Sequence, residues 1–229
     1  MEKNTLILIA LGNAVFLEYM PRIGKVFKGF NTLVHESGHA FASLLFSAEV
    51  VSIDLFYSGE GVATTKSKSW FSKFFTSIIG YPFASAFAFM LAYFIAESNY
   101  SYVIYAFASI AIINLFFWVR NPYGIAWLLS TLTLLFLAYY FNWIQVRQYA
   151  AFLIAAFCFV DAYLSAWYIL YLSIKQPKKA GDATNLQKIA WLPAFFWALF
   201  FWLQASLFAL LSIHLFHPLP FLAPILNIL

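Results

Sequence analysis

The 229 residues are 64% hydrophobic and 22% aromatic, and only 10% are charged; soluble domains run near half apolar and a quarter charged. A soluble fold of this length cannot hide so much apolar surface, so lipid must be the solvent for much of it. A net charge of +4 does not make a nucleic-acid binder, because the bases sit in short clusters between apolar runs, as loops beside membrane spans do.

A span needs about 20 mostly apolar residues. The first apolar run, Thr5 to Phe16, follows Lys3 and looks like a signal-peptide core. Glu18-Tyr-Met-Pro21 is a poor cleavage site, so this run is expected to be a retained span. Seven stretches qualify in all: Thr5–Tyr19 plus flanks, Phe30–Phe46, Phe71–Ala96, Tyr102–Val119, Gly124–Phe141, Tyr149–Ile174 and Ala190–Leu215. Between them lie Pro21–Gly24, Glu97–Asn99, Arg120–Gly124, Asn142–Gln148 and Lys175–Lys188. One stretch is not helical in character. Glu49–Phe56 alternates in β-prone residues, Tyr57–Gly61 turns, and Val62–Thr65 returns, which is a hairpin signal. The expected fold is all-α and polytopic, a bundle of about six or seven transmembrane helices with one small β-hairpin, forming a single domain over residues 1–229.

With seven spans, Lys3, Lys66, Lys68, Lys73, Arg120, Lys175, Lys178, Lys179 and Lys188 fall on one side, against Arg22, Lys25, Lys28 and Arg147 on the other. The richer side is expected to be cytoplasmic. No internal repeat is visible, which weighs against a transporter built on repeated halves. The single cysteine, Cys158, lies in an apolar run; it excludes an intramolecular disulfide and reads as a packing residue.

Within the expected spans the clear ionisable residues are His35, Glu36, His39 and Asp161. Each costs a few kcal/mol at least in lipid and is a functional candidate by default. His35 and His39 are spaced i, i+4, so a helix places both imidazoles on one face, one turn apart, able to grip one metal ion. Glu36, the neighbouring residue, can reach a metal-bound water without being a ligand and take its proton. Gly38 and Ala40 keep this helix slim enough for close approach by another helix. Catalytic zinc usually has three protein ligands and one open position. His214 and His217 lie at the far C-terminal end, so the third ligand is expected to be acidic. Asp161 is preferred because it lies near mid-depth of its span, as His39 does of its own. Asp182, in Lys179–Thr184, is the rival, with a helix N-terminal charge as its plain alternative.

Asn31-Thr-Leu-Val-His-Glu-Ser-Gly-His-Ala-Phe41 resembles the active-site helix of the site-2 protease family, and in particular its small single-domain "peptidase fifty-B-like" branch. Gly59-Glu-Gly61-Val-Ala-Thr64, Ile79-Gly-Tyr-Pro82 and Gly181-Asp-Ala183 ahead of Leu192-Pro193 and Trp197 resemble further segments of that branch. The departures are an Asn-Pro segment, Arg120–Gly124, that lacks the Asp-Gly of characterised members, and Ile169 and Leu170 where the branch carries an aspartate pair. The resemblance implies an intramembrane zinc metalloendopeptidase that cleaves membrane-embedded or membrane-tethered proteins, with one zinc per chain and Glu36 as general base. The implied partners are a membrane-protein substrate and the lipid bilayer, with no nucleic acid. The expected location is multi-pass in a plasma membrane, or the inner membrane of a bacterium. A metal-binding scaffold without catalysis is the first alternative, and a transporter the second.

Overall fold

The computed structural model describes residues 3–219. Its order is α1 (Lys3–Glu18), α2 (Ile23–Leu45), β1 (Glu49–Leu55), β2 (Gly61–Lys66), α3 (Trp70–Ile78), α4 (Gly80–Ala96), α5 (Tyr100–Phe117), α6 (Pro122–Tyr140), α7 (Ile144–Lys175), α8 (Gly181–Ala190) and α9 (Ala194–Phe216). A single 3-10 turn, Pro177–Lys179, joins α7 to α8.

By length and composition α5, α6, α7 and α9 can each cross a membrane. The pairs α1 with α2 and α3 with α4 qualify only together, bent by 110° and 40° respectively, which gives up to six spans. Six meets the lower end of the sequence expectation. A seventh arises only if α1 and α2 are counted apart. The 16 residues of α1 rise about 24 Å, short of the roughly 30 Å hydrocarbon core, and α2 carries Lys25, Lys28 and Glu36. The last runs also differ from expectation. Helix α7 begins at Ile144, inside the expected Asn142–Gln148 break, and α8 is a separate helix in the expected Lys175–Lys188 loop.

The centre of the bundle is α7, which packs against α1, α2, α4, α5, α6 and α9. Its buried Ala151, Ala155, Ala156, Ala162 and Ala166 let neighbouring backbones approach closely. Outward-facing Phe116, Leu134 and Phe136 are each more than 60% exposed, the surface a lipid solvent tolerates and water does not. Helix α2 meets α4 at a small residue: a Cβ on Gly38 would stand 2.7 Å from the Phe83 Cβ.

The hairpin forms where alternation indicated, as an antiparallel β1–β2 pair with an irregularity between Val50 and Ser52. It lies along α2, where the Thr32 hydroxyl donates to the Gly59 carbonyl at 2.8 Å. The far edge of β1 is closed. Ile53 N–H donates to the Trp118 carbonyl at 2.9 Å, and the Asn121 side chain both accepts from Leu55 N–H and donates to Leu55 C=O.

Replacing Gly38 by valine should lower stability by about 1–3 kcal/mol, the usual cost of overpacking a filled contact. Thermal unfolding in detergent checks this; an unchanged Tm would mean that α2 and α4 do not approach as described.

Candidate metal centre

Helix α2 sets the site. Its one-turn spacing carries both imidazoles to the same face, and the rings of His35 and His39 lie 4.7 Å apart, edge to face. Tyr81 of α4 packs its ring edge-on against His35, with centroids 4.6 Å apart, and stacks on Phe201 of α9. The backbone carbonyl of Thr76, on α3, lies 2.6 Å from His39 Nδ1. It accepts a hydrogen bond from Nδ1–H, so in the neutral ring Nε2 is the lone pair and faces the site.

The third group comes from α8. Asp182 Oδ2 lies 3.1 Å from His39 Nε2 and 3.2 Å from His35 Nε2, and the two Nε2 atoms are 3.1 Å apart. Asp182 sits in the first turn of α8, as its helix-start reading anticipates, and also reaches the histidine pair. Helix α8 lies outside the spanning helices, and burial there opposes the charge on Asp182. With no cation bound, protonated imidazoles, His39 foremost, outweigh that cost and hold its carboxyl well below the usual carboxylate range.

The preference for Asp161 is corrected by this geometry. Asp161 is buried on α7, but its Oδ2 accepts from the Asn31 amide at 2.9 Å, and among the described residues the convergent His/Asp group is His35, His39 and Asp182. Asn31 precedes His35 by four residues, about 6 Å along a helix. The depth argument therefore lands one turn away from the site. Depth also left Asp182 in the basic loop, apart from both histidines. The 32 residues of α7 rise roughly 48 Å, after which the 3-10 turn reverses the chain and α8 packs back against α3, α7 and α9.

Glu36 is buried beside the pair, and its Oε2 accepts from the Ala63 N–H of β2 at 2.7 Å. Two polar contacts escaped the sequence reading. Asn114 of α5, fully buried, donates to the Ser37 hydroxyl at 2.7 Å, and Thr76 holds His39. The lone amide of Asn114 in an apolar run was a visible signal; a backbone carbonyl leaves none. Cys158 is buried in the core as a packing residue. His214 accepts from Leu219 N–H near the C-terminal end of α9, and neither it nor His217 joins the group. The Asn121 side chain is occupied with β1.

The donor set fits a small divalent cation. Ligands at about 2.0–2.1 Å around a tetrahedral ion lie about 3.3 Å from one another, close to the 3.1–3.2 Å triangle seen here. With His39 Nδ1–H given to Thr76, the neutral ring's Nε2 lone pair and a carboxylate oxygen converge beside His35 Nε2, an arrangement a cation relieves. Space is kept for one. A Cβ on Gly80 would come within 2.5 Å of His39 Nε2 and 2.7 Å of His35 Cε1.

The family model described as Peptidase M50B-like matches residues 6–212. The chain belongs to the Peptidase M50B-like family. No curated protein and no solved structure matches it. The matched span runs from α1 into α9 and includes every residue of the site, and with its apolar helices the chain is a multi-pass membrane protein of a peptidase family.

Asp182→Ala should weaken zinc binding by more than the roughly 10–100-fold that loss of an outer-shell partner costs, whereas Asp161→Asn should leave it within about tenfold of wild type. Chelator competition on purified protein measures both. The reverse ranking would place the third ligand on α7.

Proposed function

We propose that this chain is an intramembrane zinc metalloendopeptidase that hydrolyses peptide bonds of membrane-embedded or membrane-tethered proteins, with one zinc per chain held by His35, His39 and Asp182. The observation that carries the reading is the 3.1–3.2 Å triangle of donors with Glu36 adjacent to it on α2. Bound there, zinc would polarise a scissile carbonyl and lower the pKa of a water toward 7.

The chain's own residues do the rest. Glu36 is the general base: Ala63 N–H holds its Oε2, leaving Oε1 to take the proton of a water and return it to the leaving amine. Thr76 holds His39 in the ligating tautomer. A helical substrate hides its peptide bonds in its own hydrogen bonds and must unwind before attack. With the outer edge of β1 taken by Trp118 and Asn121, β2 is the strand left to hold an unwound segment extended, and it runs beside Glu36. The non-catalytic alternative drew its strength from a missing third ligand, and the position of Asp182 weighs against it.

Glu36→Gln should abolish cleavage of a membrane-tethered reporter, a loss of at least about 10²-fold, while zinc content and Tm stay at wild-type values. A Gln variant that retains both zinc and full cleavage would remove Glu36 from the mechanism; wild-type protein that binds zinc yet cleaves none of a broad reporter panel would favour the scaffold.

A further inference from the structure

Beside the metal centre, with Thr76 common to both, a cavity of about 1040 Å³ opens between the α2–β1 link, the end of β2, α3 and α8. Four lysines line it, each from a different segment: Lys66 from β2, Lys68 from the link that follows, Lys73 from α3 and Lys188 from α8. Glu49 is the one carboxylate in the lining. Among the described residues none of the four ammonium groups lies within ion-pairing distance of a carboxylate. The Ser67 hydroxyl, also in the lining, is buried without a hydrogen-bond partner. Lysines beside spans are ordinary when each points into water. Here four exposed lysines from four segments line one cavity and give it a positive charge that an anion would neutralise.

The rim identifies the kind of anion. Leu44 and Leu45, just before the lining segment Ser47–Glu49, and Trp70 and Phe71, just after Lys66–Lys68, expose 58, 78, 56 and 53% of their surface. The Trp70 indole donates to the carbonyl of Ile189, a cavity residue, at 2.8 Å. Exposed aliphatic side chains and an anchored tryptophan are the neighbours of an acyl chain at the membrane–water boundary, not of a soluble ion or a hydrophilic peptide. We propose that this cavity binds the phosphate headgroup of an anionic phospholipid, with its acyl chains lying along the Leu44–Leu45 and Trp70–Phe71 rim. Basic pockets between membrane helices take such headgroups. The headgroup bridges Lys73 and Lys188 and so ties α8 to α3, the two short helices that supply Asp182 and the Thr76 carbonyl to the metal centre. Binding itself requires neither metal nor proteolysis.

The test is native mass spectrometry of full-length protein released from nanodiscs of equal phosphatidylglycerol and phosphatidylcholine. Wild type should retain phosphatidylglycerol with about fivefold or greater preference, the contribution of a single lysine at an anionic surface or more. The Lys66→Gln, Lys73→Gln, Lys188→Gln variant should lose that preference. A charge-matched Lys175→Gln, Lys178→Gln, Lys179→Gln variant, altered at exposed lysines outside the cavity, should keep it. No preference in wild type, or equal loss in both variants, overturns the site. In delipidated micelles phosphatidylglycerol should raise the Tm of wild type, while inorganic phosphate and a hexaglutamate peptide at the same concentration should not. An equal rise with either of these overturns the lipid assignment, and this measurement decides the matter even if the cavity variant fails to fold.

Discussion

Two imidazoles in a membrane helix and a carboxylate from a short helix meet at 3.1–3.2 Å, and much else in the bundle follows from keeping them there. Ionisable groups away from water are expensive unless paired. The histidines therefore need a counter-group at their own position, and α8 provides it only by turning back after α7 and packing on α3. The 3-10 turn, the small buried faces of Ala180 and Ala183 and the Trp70–Ile189 hydrogen bond all serve that return.

The same constraint organises α2 around its whole circumference. Asn31 gives its amide to Asp161, Ser37 accepts from Asn114, Glu36 accepts from Ala63 and His39 is held by Thr76. These partners come from α7, α5, β2 and α3 in turn. Four neighbours of the motif helix thus each satisfy one of its polar groups, as a helix with little access to water requires. Gly38 and Gly80 admit α4 to within contact of the same helix. The arrangement orients the proposed base, fixes one ring tautomer and leaves the donor triangle as the place where lone pairs converge.

Local periodicity made part of this legible before any coordinates. The i, i+4 spacing of His35 and His39 specifies one helical face, and alternation with a glycine-rich turn specifies the hairpin, because both signals lie within a few residues of chain. The choice between Asp161 and Asp182 was of another kind. Depth along a straight span is a one-dimensional quantity, and it placed Asp161 correctly in the interior but one turn from the site. The return of α8 is a tertiary event whose cause, the length of α7 and the reversal at Pro177–Lys179, leaves no periodic mark. The span count held at its lower value, six; the seventh apolar run was the part of the α1–α2 pair beyond its 110° bend, where two runs looked independent. Asn121 precedes the first residue of α6; that its side chain also closes β1 depends on a strand 66 residues earlier.

The central claim is that one metal ion sits within the His35, His39 and Asp182 triangle. X-ray absorption at the zinc edge, on wild-type protein and on Asp182→Cys, tests it directly. The account predicts a four-coordinate wild-type shell of nitrogen and oxygen donors with two imidazoles, and a new sulfur scatterer at about 2.3 Å in the cysteine variant. A wild-type shell without paired imidazoles, or a zinc-loaded cysteine variant whose shell gains no sulfur, would contradict it.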